Sequence, residues 1–124
     1  MALPPKLRRE LEDLQFVQKI TVIEDSGFIN LLITDFPVGD SFNMHACELL
    51  LRIPRSYPDA GPDMFWTTPE LRLADGRVPH AADCIEAHLG RPWRRFSWHR
   101  PCWTNRDKLR EHLEFVQRRL LQKQ

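Results

Sequence analysis

The chain has 124 residues, of which 42% are hydrophobic and 28% charged, and a formal net charge of +1 at pH 7. This length suits one domain spanning residues 1–124 rather than two, the composition supports a packed globule, and the near-neutral balance gives no general pull toward nucleic acid or an anionic membrane. With no apolar h-region near the N-terminus, no long apolar run, and an odd set of cysteines (Cys47, Cys84, Cys102) that forms no disulfide framework, the expectation is a cytoplasmic protein with neither secretory signal nor membrane span.

Pro4-Pro5 can open a helix, because proline in the first turn gives up no intrahelical bond. Leu7, Leu11 and Leu14 follow at i, i+4 and i+7 among charged residues, which predicts a short amphipathic helix. The period then changes to two. Lys19–Ile23 and Phe28–Thr34 read as strands joined by turn chemistry at Asp25-Ser26-Gly27. A third strand is predicted around Ala46–Ile53, where Cys47, Leu49, Leu51 and Ile53 share one face, and a fourth at Met64–Thr67. Residues 69–104 show no clear period and read as one long irregular loop, unusual enough in a small domain to suggest function. Leu109, Leu113, Val116 and Leu120 then fall on one face of a final helix, with Asn105 as its expected N-cap. The predicted class is α+β: helix, four-stranded antiparallel meander, long loop, helix.

The segment ELLLRIPRSYPDAGPDMFWTTPEL resembles the third strand, Tyr-Pro turn and fourth strand of ubiquitin-conjugating enzymes, with Tyr57-Pro58 following a strand that ends in Ile53-Pro54. Asp63-Met64-Phe65-Trp66, then Gly90-Arg91, Trp93, Phe96-Ser97-Trp98, His99 and Trp103, are similar to motifs of a bacterial branch of that superfamily, prokaryotic family E. The resemblance covers about residues 5–122 and implies the ubiquitin-conjugating-enzyme fold, a ubiquitin-like protein and its adenylating enzyme as partners, and thioester transfer. One departure is clear. No His-Pro-Asn is present, so the asparagine that steadies the oxyanion in eukaryotic members has no counterpart.

A thioester carrier needs an exposed, partly ionised thiol. Cys84, on the unpatterned loop with His80, His88, Arg91 and Arg94 nearby in sequence, is the first candidate nucleophile; the alternative is an ordinary cysteine packed as a small hydrophobe. Cys102, between Pro101 and Trp103, is the second candidate. Cys47 alternates with core leucines and reads as core. His99 is a candidate general base, or a hydrogen-bonded structural histidine. Cys84, His88, His99 and Cys102 also make a C-x3-H…H-x2-C series of the ligand types that bind zinc, although the gap between the histidines is short and filled with bulky rings. No metal or other cofactor is expected. Trp93, Trp98, Arg94, Arg95 and Trp103 are candidate partner-binding residues, since Trp and Arg anchor interfaces; rings filling the space behind the loop are the structural alternative, and nucleic acid the least favoured occupant. Two functions stay open: a conjugating-enzyme-like thioester carrier with Cys84 as nucleophile, or a non-catalytic module of the same fold that docks a ubiquitin-like protein or its activating enzyme. A zinc-stabilised interaction domain ranks behind both.

Overall fold

Residues 3–100 and 103–122 are described by the structure, a computed structural model. Helix α1 (Pro5–Leu14) begins on proline and turns Leu7 and Leu11 inward while Arg8, Arg9, Glu12 and Asp13 stay in water. Strands β1 (Lys19–Asp25), β2 (Phe28–Pro37), β3 (Ala46–Pro54) and β4 (Phe65–Thr67) follow, then β5 (Cys84–His88), β6 (Arg91–Phe96) and helix α2 (Leu109–Leu121). Every pairing is antiparallel, in one sheet of order β1-β2-β3-β4-β6-β5.

The sheet therefore has six strands rather than the expected four, and the expected loop contains a hairpin. Two features hide it. Its turn is Leu89-Gly90, with both residues at positive φ (56° and 75°), the backbone that a two-residue hairpin needs but one that leucine seldom adopts. The leucine side chain packs against the cluster formed by Leu50, Trp66 and Trp93. The second feature is Pro92 within β6. Proline cannot donate to a ladder, yet it is tolerated here because β4 pairs only with Arg94–Phe96 and leaves that stretch of β6 unpaired on one side. By contrast the β1–β2 turn, Ser26-Gly27 (φ 54° and 77°), carries an ordinary turn sequence and lies where expected.

Both helices pack on one face of the sheet, over Ile29, Leu31, Ile33, Leu49, Leu51, Ile53, Phe65 and Phe96. The other face carries a smaller cluster of Leu50, Trp66 and Trp93. Glu10 ties the helices together: one carboxylate oxygen accepts from the Tyr57 hydroxyl and the other accepts the first backbone N–H of α2, Leu109, at 2.7 Å. Burial and the Glu10 carboxylate both push the Tyr57 phenol well above its ordinary pKa. The helix thus starts at Leu109, with Glu111 reaching back to the Lys108 N–H at 2.9 Å, and not after Asn105. Trp103 closes the Tyr57-Pro58 turn by donating its indole N–H to the Pro58 carbonyl at 2.9 Å. Its ring lies so close over Gly61 that a Cβ there would sit 2.1 Å from the indole, so glycine is needed for the approach.

Leu113 is 7% exposed and faces the sheet-side core, so Leu113→Ala is expected to lower stability by ~2–5 kcal/mol, measured by urea denaturation. His112, fully buried beside it, supplies a pH dependence. Its Nε2 lies 3.3 Å from the Met64 carbonyl and its Nδ1 has no partner among the described residues, which suits the neutral ring protonated at Nε2. Burial, with repulsion from Arg100, pushes its pKa down to about 4, against opposing pulls from the Met64 carbonyl and Asp63. The unfolded chain then binds the proton first. Stability is fully present above the ordinary imidazole pKa of about 6.5 and is lost as pH falls toward 4, by ~3 kcal/mol in all. Denaturation midpoints measured across that window should show this slope in the native chain and lack it in His112→Gln.

Candidate functional site

The face of the sheet turned away from the helices carries the chemistry. Along β5, Cys84, Glu86 and His88 alternate onto this face, while Ile85 and Ala87 point the other way. Cys84 is opposite Arg95 in the register, Glu86 opposite Trp93, and His88 opposite Arg91. Glu86 is the hub of the group. Its Oε1 accepts the Trp66 indole N–H at 2.8 Å and lies 3.1 Å from His88 Nε2, and its Oε2 accepts from Arg95 Nη1 at 2.7 Å. Burial alone would raise its pKa, but these donors and the Arg95 charge outweigh burial and hold the carboxyl below its usual range.

The network extends along the face. Trp66 meets the His88 ring edge-on at 5.4 Å, and Arg91 lies over Trp93 at 4.1 Å while pairing with Glu48 at 2.9 Å. Toward β2, Arg52 stacks on Phe28 at 4.3 Å and donates to the Asn30 side-chain oxygen at 3.2 Å. Between these groups runs a groove of about 350 Å³ lined by Phe28, Arg52, Asp63, Met64, Trp66 and Glu86, among others. His99 is exposed and its Nδ1 lies 2.9 Å from Asp63, a lining residue of that groove.

The predicted site residues separate into three groups. Cys84 is half-buried at the head of edge strand β5, not on an irregular loop. Cys47 is in the core as expected, and burial, aided by Glu48, pushes its thiol up to about 12. Cys102 lies outside the described residues. Of the four cations expected around Cys84, Arg94 points to the opposite face, where it donates to the Pro69 and Ala82 carbonyls; Arg95, its neighbour, is the arginine beside Cys84. Trp93 and Trp98 are inside the chain, their indoles donating to the carbonyls of His88 and His80, and Trp103 is spent on the Pro58 turn. Their rings brace the fold, so the stretch offers no open stacking platform. Among the described residues no three His, Cys, Asp or Glu side chains are grouped closely enough to hold a metal ion, and His99 is paired with Asp63.

Glu86 was not singled out by sequence reasoning, and Asp63 and Trp66 entered it as part of a family motif rather than as site residues. A signal existed: Cys-x-Glu-x-His ahead of a Leu-Gly turn is a period-two pattern, masked by the polar residues it contains.

An antiparallel sheet with both helices on one face, a Tyr-Pro turn after β3 and a tryptophan ahead of the final helix fit the resemblance to ubiquitin-conjugating enzymes, although the sheet has six strands. The family model for prokaryotic E2 family E matches residues 3–123, and the chain belongs to that family. It is thus an E2-like protein of a conjugation pathway. No curated protein and no solved structure matches it. Among the described residues, no helix is long and apolar enough to cross a membrane.

Removing the hub should release three donors at once. Glu86→Ala leaves the Trp66 indole N–H and Arg95 Nη1 without their acceptor and is expected to cost ~1–3 kcal/mol, read from denaturation followed by tryptophan fluorescence. Glu86→Gln, which keeps one acceptor oxygen, should lose less.

Proposed function

We propose that the chain is a thioester carrier for a ubiquitin-like modifier, with Cys84 as the nucleophile. The observation that supports this reading is the contrast between its described thiols. Cys84 is partly exposed on the outer face of an edge strand, with Arg95 directly across the ladder, whereas the Cys47 thiol is buried and pushed up to about 12. Only the first can be reached by two large partners in turn.

In this reading the modifier arrives as a thioester on its activating enzyme. The Cys84 thiolate attacks the acyl carbon, a tetrahedral intermediate forms, and the activating enzyme's cysteine leaves as thiolate, so one C–S bond replaces another. An amine then attacks the same carbon, Cys84 leaves, and the amine nitrogen gives up a proton as the amide forms. His88 is four strand residues from Cys84, about 13 Å along β5, so it orders Glu86 rather than serving as the thiol's base. Arg95, directly across the ladder from Cys84, is the charged group nearest in register.

The second reading, a docking module without chemistry, is favoured by one observation. Arg95 and His88 both pair with Glu86, so neither side chain is dedicated to the thiol. The discriminating experiment mixes the protein with its modifier, activating enzyme and ATP and resolves the products on a non-reducing gel. The native chain is expected to give a reducible adduct, Cys84→Ser to lose it or to form a reductant-resistant oxyester, and Cys102→Ser to retain it. No adduct from the native chain with a demonstrably active partner enzyme would leave the docking module. Loss only in Cys102→Ser would move the nucleophile to Cys102.

A further inference from the structure

The two edges of the sheet are built differently. Edge strand β1 carries Lys19, Glu24 and Asp25, and Lys19 pairs with Asp35 at 3.3 Å, the kind of charge that discourages another strand from joining. Edge strand β5 reads Cys-Ile-Glu-Ala-His, with no lysine or proline, and its one carboxylate is turned onto the sheet face and engaged by Trp66, His88 and Arg95. Its Ile85 is 48% exposed, and Ala87 is exposed as well.

The direction of the free backbone groups follows from Pro92. In an antiparallel ladder, pairs that exchange hydrogen bonds alternate with pairs that do not. Ala87 is in register with Pro92, which has no N–H to exchange, so Ala87 belongs to the second kind and turns its own N–H and C=O outward. Ile85, two residues back, has the same phase. Among the described residues no backbone bond outside the sheet reaches either one. β5 thus presents two donor–acceptor pairs to the solvent, beginning one residue from the candidate nucleophile.

We propose that β5 takes up the extended C-terminal tail of the modifier as a seventh, antiparallel strand, which delivers the terminal acyl group to Cys84. The proposal rests on the reading of Cys84 as the nucleophile. An antiparallel strand on this edge runs from His88 toward Cys84, so its C-terminus arrives at the thiol end. Strands lie about 4.8 Å apart, which brings the residue opposite Cys84 within reach of Sγ. Bonds to Ile85 and Ala87 set the register, and the exposed Ile85 side chain supplies an apolar contact on the far face.

The test uses a synthetic peptide, acetyl-Val-Thr-Val-Thr-Ala-Gly, in two forms. As the C-terminal amide it reports docking alone. Amide hydrogen exchange on the full chain should slow at Ile85 and Ala87 when it is added, and Cys84→Ala should keep that protection. As the mercaptoethanesulfonate thioester it reports delivery: Sγ of Cys84 takes the acyl group and mercaptoethanesulfonate leaves as thiolate. Ala87→Pro removes one outward donor without touching the β5–β6 ladder and should slow this exchange about tenfold. Ile85→Glu, which leaves the backbone unchanged and charges the edge, should act in the same direction; melting curves confirm that both variants fold. Docking at Ile85 and Ala87 with an unreactive Cys84 would uphold the added strand and remove the nucleophile. Equal rates in the native chain and both variants, protection on β1 instead, or protection that rises with protein concentration in the absence of peptide (pairing with a second copy) would each overturn the proposal.

Discussion

The outer face of the sheet is organised around one carboxylate. Glu86 is reached by donors from β4, β5 and β6, and these bonds more than offset the tendency of burial to protonate it. The consequence is mechanical as well as electrostatic. Among the described residues the β5–β6 hairpin has ladder contacts with the rest of the sheet only through three residues of β4, so the side-chain bond from Trp66 to Glu86 adds a second attachment. Trp66 also lies 6.0 Å from the Arg52 guanidinium, which stacks on Phe28. Order imposed at Glu86 is in this way carried across the face to β2. Cys84 gains its fixed position from this arrangement, since it sits on the strand that Glu86 anchors.

Two consecutive arginines show how strand alternation divides structure from chemistry. Arg94 points to the helix-side face and is 4% exposed; its guanidinium closes on the Pro69 and Ala82 carbonyls, and burial lowers its pKa without removing its charge. It holds the segment between β4 and β5 against the sheet. Arg95, one residue later, faces outward, pairs with Glu86 and donates to Ser97 at 3.2 Å. A shift of one residue along β6 would exchange the faces of the two arginines, turning Arg94 toward the carboxylate and Arg95 into the interior. The Leu89-Gly90 turn guards against that shift, because a two-residue turn fixes which residues oppose each other.

Much of this fold was legible in the sequence, and the missing part has a specific cause. Leu109, Leu113, Val116 and Leu120 are all buried, the Tyr57-Pro58 turn follows β3, and the first four strands pair in chain order, because in each case one apolar face repeats at a helical or strand period. The β5–β6 hairpin escaped because its periodicity is carried by Cys, Glu, His, Arg and Trp rather than by leucine and valine. Those residues alternate as strictly as a leucine strand does, but their burial comes from hydrogen bonds to one another. Composition alone does not reveal that kind of burial. The same cause explains the partner-binding residues: Trp93 and Trp98 look like exposed anchors in a basic run, yet each indole N–H finds a backbone carbonyl inside the fold.

A thiol on a loop and a thiol on an edge strand make different demands on a carrier. A loop nucleophile relies on neighbouring side chains, such as the asparagine absent here, to orient the acyl group and its developing oxyanion. An edge-strand nucleophile has an unpaired main chain beside it, with donors at fixed intervals that no substitution short of proline removes. In this chain the Glu86 network anchors that edge, Pro92 leaves its phase unambiguous, and the β5 side chains on the far face are Ile85 and Ala87. On the proposed reading the missing His-Pro-Asn does not mean lost chemistry. It is compatible with an acyl group oriented through its own backbone, where the sheet supplies the geometry that a loop asparagine supplies elsewhere.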